Sequence, residues 1–329
     1  MSGPAFSYAR PADVAGALAQ GARPGAAFLA GGTDLIQLWK AGLAAHAELV
    51  DISRLPLAGI DLADGELAIG ALARLSDVAL HPRVMAEHPL IAQAIAATAS
   101  GQVRNMATVG GNLLQRTRCA YFRTQGMACN KREPGSGCGA AAGETRQAAL
   151  FGASAACVAT HASDLAVALT ALRAELTILG PDGERRIALP DLYRLPGQTP
   201  QIDTTLAPGE LIAAVQVRRA AGLAARSTYL KVRDRASFEF AVVSVAAALR
   251  LEDGAVVEAR LAAGGVAPLP WRLAGAEAAL IGRAPDARAF AEAAGLAVEG
   301  AQPLADNGFK VELLRRAVIR ALETVGATA

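Results

Sequence analysis

The first 115 residues alternate short apolar runs with stretches of helical period, and that alternation restricts the fold more than any other feature of the chain. "AAFLAGG" and "AELVDIS" read as buried strands, whereas "PADVAGALAQ" and "TDLIQLWKAG" place apolar side chains at helical spacing. Strands alternating with helices imply parallel βαβ units. "GELAIGALARLSDVAL" adds a further strand and a helix, with Ser76 as its expected cap.

Periodicity is lost from residue 116 to about 155, where Cys, Gly, Arg and Pro accumulate. So long an irregular segment inside a compact domain usually has a function. Helical spacing returns with "SDLAVALTALRA", capped by Ser163 or Asp164, followed by "AELTILGPDGERRIAL" as two strands around a Pro-Asp-Gly turn and by "GELIAAVQV" as another strand. From residue 223 onward the apolar runs flanking Glu-Asp-Gly predict an antiparallel sheet covered by helices. The closing "FKVELLRRAVIRALETV" reads as a packed amphipathic helix.

With 329 residues, 53% of them hydrophobic, the chain can bury more than one core. Its net charge of +2 offers no electrostatic case for nucleic acid or an anionic membrane. No apolar run reaches the length of a membrane span, and the N-terminus lacks the pattern of a secretory signal. A soluble protein made in the cytoplasm is expected, either staying there or reaching the periplasm by co-export with a signal-bearing partner. No Ser-His-Asp set, carboxylate pair or metal-hydrolase spacing is present, so no catalytic residue is assigned. His46, His81 and His88 read as surface or turn residues.

All four cysteines, Cys119, Cys129, Cys138 and Cys157, lie within 39 residues. Buried small side chains, disulfides, a zinc site and an iron-sulfur cluster are the alternatives. Arg, Lys, Asn and Gly neighbours do not look like a core strand, a large core needs no staples, and the C-x2-C knuckles of structural zinc are missing. The long spacings suit a cluster, which the nearby Arg116, Arg118, Arg123, Lys131 and Arg132 would partly neutralise, although the same cations also fit a solvated basic loop.

Gly31 and Gly32 fall between a strand and a helix, where free backbone amides and the helix dipole can meet a phosphate; a plain turn is the simpler reading. A second pair, Gly110 and Gly111, could clamp a dinucleotide from another side, with Thr33, Thr108 and Asn112 adding hydrogen bonds or merely capping. Neither pair is the G-x-G-x-x-G of a Rossmann fold. Asp164 reads equally as a ribose or flavin contact and as a helix cap, and Lys231 as a surface-facing strand lysine or a ligand contact.

Taken in order, "LAGGTDLI", "TVGGN", "HASDLAVAL", "YLKVRDRASFEFA" and "LAAGGVAPLPWR" resemble the FAD-binding medium subunit of the xanthine dehydrogenase and aldehyde oxidase family of molybdenum hydroxylases. The insertion after the second glycine pair resembles that of periplasmic aldehyde oxidoreductases. The resemblance implies an α+β chain: a two-subdomain FAD-binding fold of the PCMH type over residues 1–222 (subdomains about 1–58 and 59–222, cluster loop about 115–158) and a C-terminal domain over 223–329 of antiparallel sheet plus helices. It implies that Ala30, Gly31, Gly32, Thr33, Asp34 and Leu35 wrap the FAD pyrophosphate, with Thr108, Gly110 and Gly111 forming the second clamp and Leu29 and Asn112 also among the cofactor-binding residues. Asp164, Ile212 and Lys231 would lie near the ribityl chain or isoalloxazine, and the four cysteines would ligate a 4Fe-4S cluster. Glu239 stands where many relatives carry Asp.

The function so implied is electron transfer within a heterotrimer, from a large molybdenum-cofactor subunit and a small 2Fe-2S subunit to an external acceptor, while the large subunit oxidises an aldehyde. A medium subunit of the 4-hydroxybenzoyl-CoA reductase kind is the rival within the family. A non-redox, zinc-stabilised binding or scaffold protein is the rival outside it.

Overall fold

The computed structural model describes residues 5–219 and 222–327 and forms three sheets. Strands β1 (Ser7–Ala9), β2 (Ala26–Leu29) and β3 (Glu48–Asp51) make a parallel sheet in the order β1-β3-β2, with helices Val14–Gly21 and Leu35–Lys40 as its crossovers. Asp13 caps the first of these, accepting from the Gly16 N–H at 2.8 Å. A small core of Ala17, Val50, Ile52 and Leu55 lies under this sheet.

Parallel pairing stops there. Strands β4 (Ile60–Ala63), β5 (Glu66–Gly70), β6 (Glu175–Gly180), β7 (Gly183–Ala188) and β8 (Leu211–Arg218) form a wholly antiparallel sheet in the order β4-β5-β8-β6-β7. The expectation of βαβ units up to residue 115 therefore holds only to residue 51. The overlooked signal is Asp64-Gly65, whose φ values of +51° and +77° make the two-residue turn that folds β4 back on β5. Helix Leu75–Leu80 starts from Arg74 rather than from a Ser76 cap, and the Ser76 hydroxyl is directed to Asp77.

The third sheet, β12-β11-β10-β9, is built from β9 (Ser227–Val232), β10 (Val243–Glu252), β11 (Ala255–Gly264) and β12 (Trp271–Arg272), all antiparallel. Both faces of β10 are covered, which accounts for its largely apolar sequence. Its side chains alternate between two cores: Val243, Val245, Ala247 and Leu249 join the C-terminal core with Leu314, Val318 and Leu322, while Ala246 joins the core of the preceding domain. The closing helix Phe309–Ala327 lies on β10, packed as its spacing predicts.

Helix Asp164–Ala171 is buried along its whole length, between the antiparallel five-stranded domain and the third sheet. Its sequence has no polar face, as full enclosure requires. Among the described residues, no helix is long and apolar enough to cross a membrane.

Candidate functional site

Between β2 and helix Leu35–Lys40 the chain makes a tight loop of glycines. A Cβ on Gly31 would lie 2.0 Å from the Met106 carbonyl oxygen, so no larger residue fits, and Gly32 takes a φ of +70°. Among the described residues, none accepts a hydrogen bond from the N–H groups of Gly31, Gly32, Thr33 or Asp34. Consecutive unpaired amides of this kind form a concave donor site for an anion. Residues 30–35 line a cleft of about 290 Å³ together with Phe28, His46, Leu72, Arg116 and Ile212. Leu29 ends β2 and is not part of the lining.

The second glycine pair lines the same cleft but has no amide to spare. The Gly110 N–H donates to Ala71 O at 2.8 Å, and the Gly111 N–H to Thr108 Oγ1 at 3.3 Å, where Thr108 caps the short helix Val109–Leu113. A Cβ on Gly110 would come 2.9 Å from that of Ala71, so this pair supplies close approach instead of free donors. Asn112 is buried and accepts from the Ser163 hydroxyl at 2.6 Å, tying this turn to the start of helix Asp164–Ala171.

A second cavity of about 180 Å³ continues from the first through Thr33, Asp34, Gly111 and Gln115, and reaches Asn112, Asp164, Lys231, Phe238, Glu239 and Phe240. Ser163 caps the helix by accepting from the Ala166 N–H, which leaves the Asp164 side chain in the first turn, where the helix dipole favours an anion. The Asp164 carboxylate accepts from Tyr229 Oη at 2.7 Å, Lys231 Nζ at 2.8 Å and Thr98 Oγ1 at 3.2 Å. Burial raises its proton affinity, and these three partners oppose the rise. Lys231 is not surface-facing: its side chain is 4% exposed, and it also donates to Ala97 O at 3.0 Å. Tyr229 and Lys231, two apart on β9, share the face turned to this helix. Ile212 lines the first cavity with Glu210 and Leu211, not the second.

The irregular segment contains two single-turn helices, Ala120–Arg123 and Gly139–Ala142, and carries all four cysteines as free thiols. Cys129 and Cys138 face each other across an isolated antiparallel bridge. Burial raises the Cys119 thiol, and charge on Cys129 and Cys138 adds to the rise. Burial pushes Cys157 up to about 11, with Cys138 and Cys119 contributing and Lys131 opposing. The four thiols thus share one neighbourhood. Among the described residues, no three His, Cys, Asp or Glu side chains are arranged to hold a single metal ion.

The cations of this segment are not a solvated fringe. Arg118 and Arg123 meet Asp34 at 3.1 and 2.9 Å, Arg116 meets Asp203 at 2.5 Å, and Lys131 pairs with Asp203. Arg132 donates to the carbonyls of Tyr121 and Phe122 at 2.8 Å. A third cavity of about 260 Å³ runs from Cys119 to Asp164, bordered by Arg118, His161, Glu239, Phe240 and Ser244. His161 packs edge-on to Tyr193 with ring centres 4.7 Å apart, and burial lowers its imidazole to about 4, so it stays neutral at neutral pH. His88, expected at the surface or in a turn, is the single residue linking helices Pro82–Glu87 and Pro89–Ala96, and it is buried at 4% exposure because Leu90, Ile91, Ala94 and Ile95 of the second helix enter the core.

Asp203, Glu210 and His46 escaped sequence reasoning because each reaches the site from a distant loop or strand end with no local motif. Arg116 was singled out for its charge, but its place in the cleft wall depends on the turn made by "GGNLLQR".

Residues 4–218 match the family model described as the FAD binding domain in molybdopterin dehydrogenase, and residues 228–325 match the CO dehydrogenase flavoprotein C-terminal domain. The chain is 46% identical over 330 residues to the aldehyde oxidoreductase FAD-binding subunit PaoB of Escherichia coli (strain K12), covering 99% of each. It is 29% identical to the glyceraldehyde dehydrogenase medium chain of Sulfolobus acidocaldarius, over 86% of this chain and 83% of that one. Its fold superposes on a chain of carbon monoxide dehydrogenase from Hydrogenophaga pseudoflava with a TM-score of 0.79 at 27% identity, covering 100% of both. Two domains that match these models in order, with a glycine loop of unpaired amides opening on a cleft inside the first domain that continues to residues of the second, make the chain a member of the FAD-binding medium subunits of the molybdenum hydroxylase family, oxidoreductase subunits that work within a complex.

Proposed function

We propose that this chain is the FAD and 4Fe-4S electron-transfer subunit of a molybdenum-containing aldehyde oxidoreductase. Its full-length 46% identity to an aldehyde oxidoreductase FAD-binding subunit carries the reading. The chain works in a heterotrimer with a large molybdenum-cofactor subunit and a small 2Fe-2S subunit, which deliver electrons for transfer to an external acceptor. When bound, FAD supplies reversible two-electron storage and the cluster one-electron storage.

The residues present suit both groups. The unpaired amides of Gly31 to Asp34 would hold the diphosphate, with Thr33 and Leu35 beside them and Thr108, Gly110 and Gly111 as the opposite wall. Ile212 would close the first cavity, and Asn112, Asp164 and Lys231 would border the isoalloxazine end in the second. The Asp164–Lys231 pair keeps a proton donor and an acceptor fixed beside that cavity, and burial by helix Asp164–Ala171 excludes water from them. Cys119, Cys129, Cys138 and Cys157 would supply four thiolates from one neighbourhood, the number a cubane cluster takes.

The test is an absorption spectrum of the purified complex with iron, acid-labile sulfide and zinc analysis, repeated on Cys138→Ser. The reading expects flavin bands plus iron and sulfide beyond the content of a 2Fe-2S subunit, the excess being lost in the variant. Flavin without excess iron would remove the cluster, and zinc without flavin would remove the whole assignment.

A further inference from the structure

We propose that Asp34 is a positioning residue that fastens the cysteine-bearing segment to the flavin-phosphate loop, so that FAD retention depends on how that segment is folded. The inference rests on the reading of residues 31–34 as the phosphate cradle.

Asp34 occupies the cap position of helix Leu35–Lys40, where an Asp side chain ordinarily accepts from an N–H two or three residues further on. It makes no such bond. Its oxygens instead reach across the fold: Oδ2 accepts from the Arg116 N–H at 2.9 Å, and Oδ1 from the Arg123 guanidinium at 2.9 Å, with the Arg118 guanidinium 3.1 Å away. The Asp34, Arg123 and Arg118 side chains are 14%, 19% and 26% exposed, so solvent and salt screen them less than a surface pair.

Both arginines are fixed at their other contacts. Arg123 donates to the carbonyls of Thr117 and Arg116 at 2.9 and 3.1 Å, gathering the turn that precedes Cys119 around the Asp34 carboxylate. Arg118, next to Cys119 in the chain, donates to Gln115 Oε1 at 3.1 Å and lies over the Phe240 ring at 4.8 Å. One carboxylate therefore joins the loop whose amides are unpaired to the stretch that places the first cysteine.

Electrostatics and positioning give opposite signs for the loss of this carboxylate. Asp34 is an anion beside the place of a diphosphate, so removing it with no other change would tighten FAD binding. If its work is to hold the loop in shape, removing it weakens FAD binding.

The experiment titrates the flavin-depleted complex with FAD, following flavin fluorescence, for wild type, Asp34→Asn, Arg123→Ala, the double variant, and Cys138→Ser in the wild-type and Asp34→Asn backgrounds, with iron and sulfide measured on each. Each of Asp34→Asn and Arg123→Ala is expected to weaken FAD about tenfold, within the range of linked sites, and the double variant to be no weaker than either. Cys138→Ser is expected to weaken FAD in the wild-type background but not further in Asp34→Asn. Unchanged or tighter binding in Asp34→Asn, or losses that multiply in the double variant, would overturn the proposal. Should Asp34→Asn not assemble, Arg123→Lys, which keeps the charge but loses the fork, takes its place with the same expected loss. Gly31→Ala separates the two readings: wild-type FAD affinity in that variant would sink the cradle itself, whereas its loss together with multiplying Asp34 and Arg123 effects would sink only the coupling.

Discussion

Gly31 and the Asp164–Lys231 pair carry the sharpest consequences of single side chains. The Met106 carbonyl stands where a Cβ on Gly31 would go, and this oxygen belongs to the backbone, which cannot rotate aside. Gly31→Ala is expected to yield a folded chain that purifies with less than about a tenth of the wild-type FAD, measured by absorbance after heat release. Lys231 and Asp164 neutralise each other at 4% and 5% side-chain exposure. Lys231→Met leaves a buried carboxylate without its cation and is expected to cost about 3 kcal/mol in denaturant unfolding, because breaking one side of such a pair strands the other. The double variant Lys231→Met with Asp164→Asn is expected to recover much of that loss, which the double-mutant cycle reads directly. Sequence spacing left both residues with two readings. Lys231 looked surface-facing because a strand alternates, and only the packing of helix Asp164–Ala171 against the third sheet decides which face is the inner one.

Elements whose signals are local were legible, and those defined by partners were not. The turn between β10 and β11 places Asp253 and Gly254 at φ values of +51° and +79°, the mirror-image turn that Asp-Gly announces. Gly254→Val forces a branched side chain into the left-handed region and is expected to cost about 1–2 kcal/mol, read as a lowered unfolding midpoint. The same dipeptide at Asp64-Gly65 converts an expected βαβ continuation into a hairpin, and it shows how a turn signal outranks strand-helix alternation in setting strand direction. The second glycine pair shows the converse limit. Its Gly-Gly suggests a second phosphate clamp, but the short helix it opens consumes its own first-turn amides through the Thr108 cap and the Ala71 carbonyl.

Across the whole molecule, the irregular segment is clasped from both sides. Asp34 and Asp203 hold its cations beside the cleft of the first glycine loop, while its trailing end is bound to the C-terminal domain. There Thr145 Oγ1 donates to Asp306 at 2.9 Å, Asn307 Nδ2 donates to Ala148 O at 3.1 Å, and the fully buried Lys310 donates to the carbonyls of Ala148 at 2.9 Å and Gly265 at 2.5 Å. Lys310 has carbonyl partners and no carboxylate among these bonds, so burial lowers its ammonium group to about 8, with Arg146 adding to the fall. The sign follows from linkage. Between about pH 8 and the unfolded value of 10.5 the unfolded chain holds a proton that the folded chain has released, so stability rises with pH across that window. The rise amounts to about 3 kcal/mol. Lys310→Met is expected to abolish this increase in unfolding free energy while leaving the slope below about pH 7 unchanged.

By itself the sequence determined the glycine loop, the cysteine cluster, the antiparallel C-terminal sheet and the amphipathic closing helix, since each depends on residues near one another in the chain. Tertiary structure decided which amides stay unpaired, that Asp164 meets Lys231, and that Asp34 faces the cysteine segment instead of capping its own helix. The reason is physical: turns, caps and periodicity follow from local backbone sterics and side-chain spacing, whereas burial, charge pairing and donor availability depend on partners 65 or more residues away along the chain.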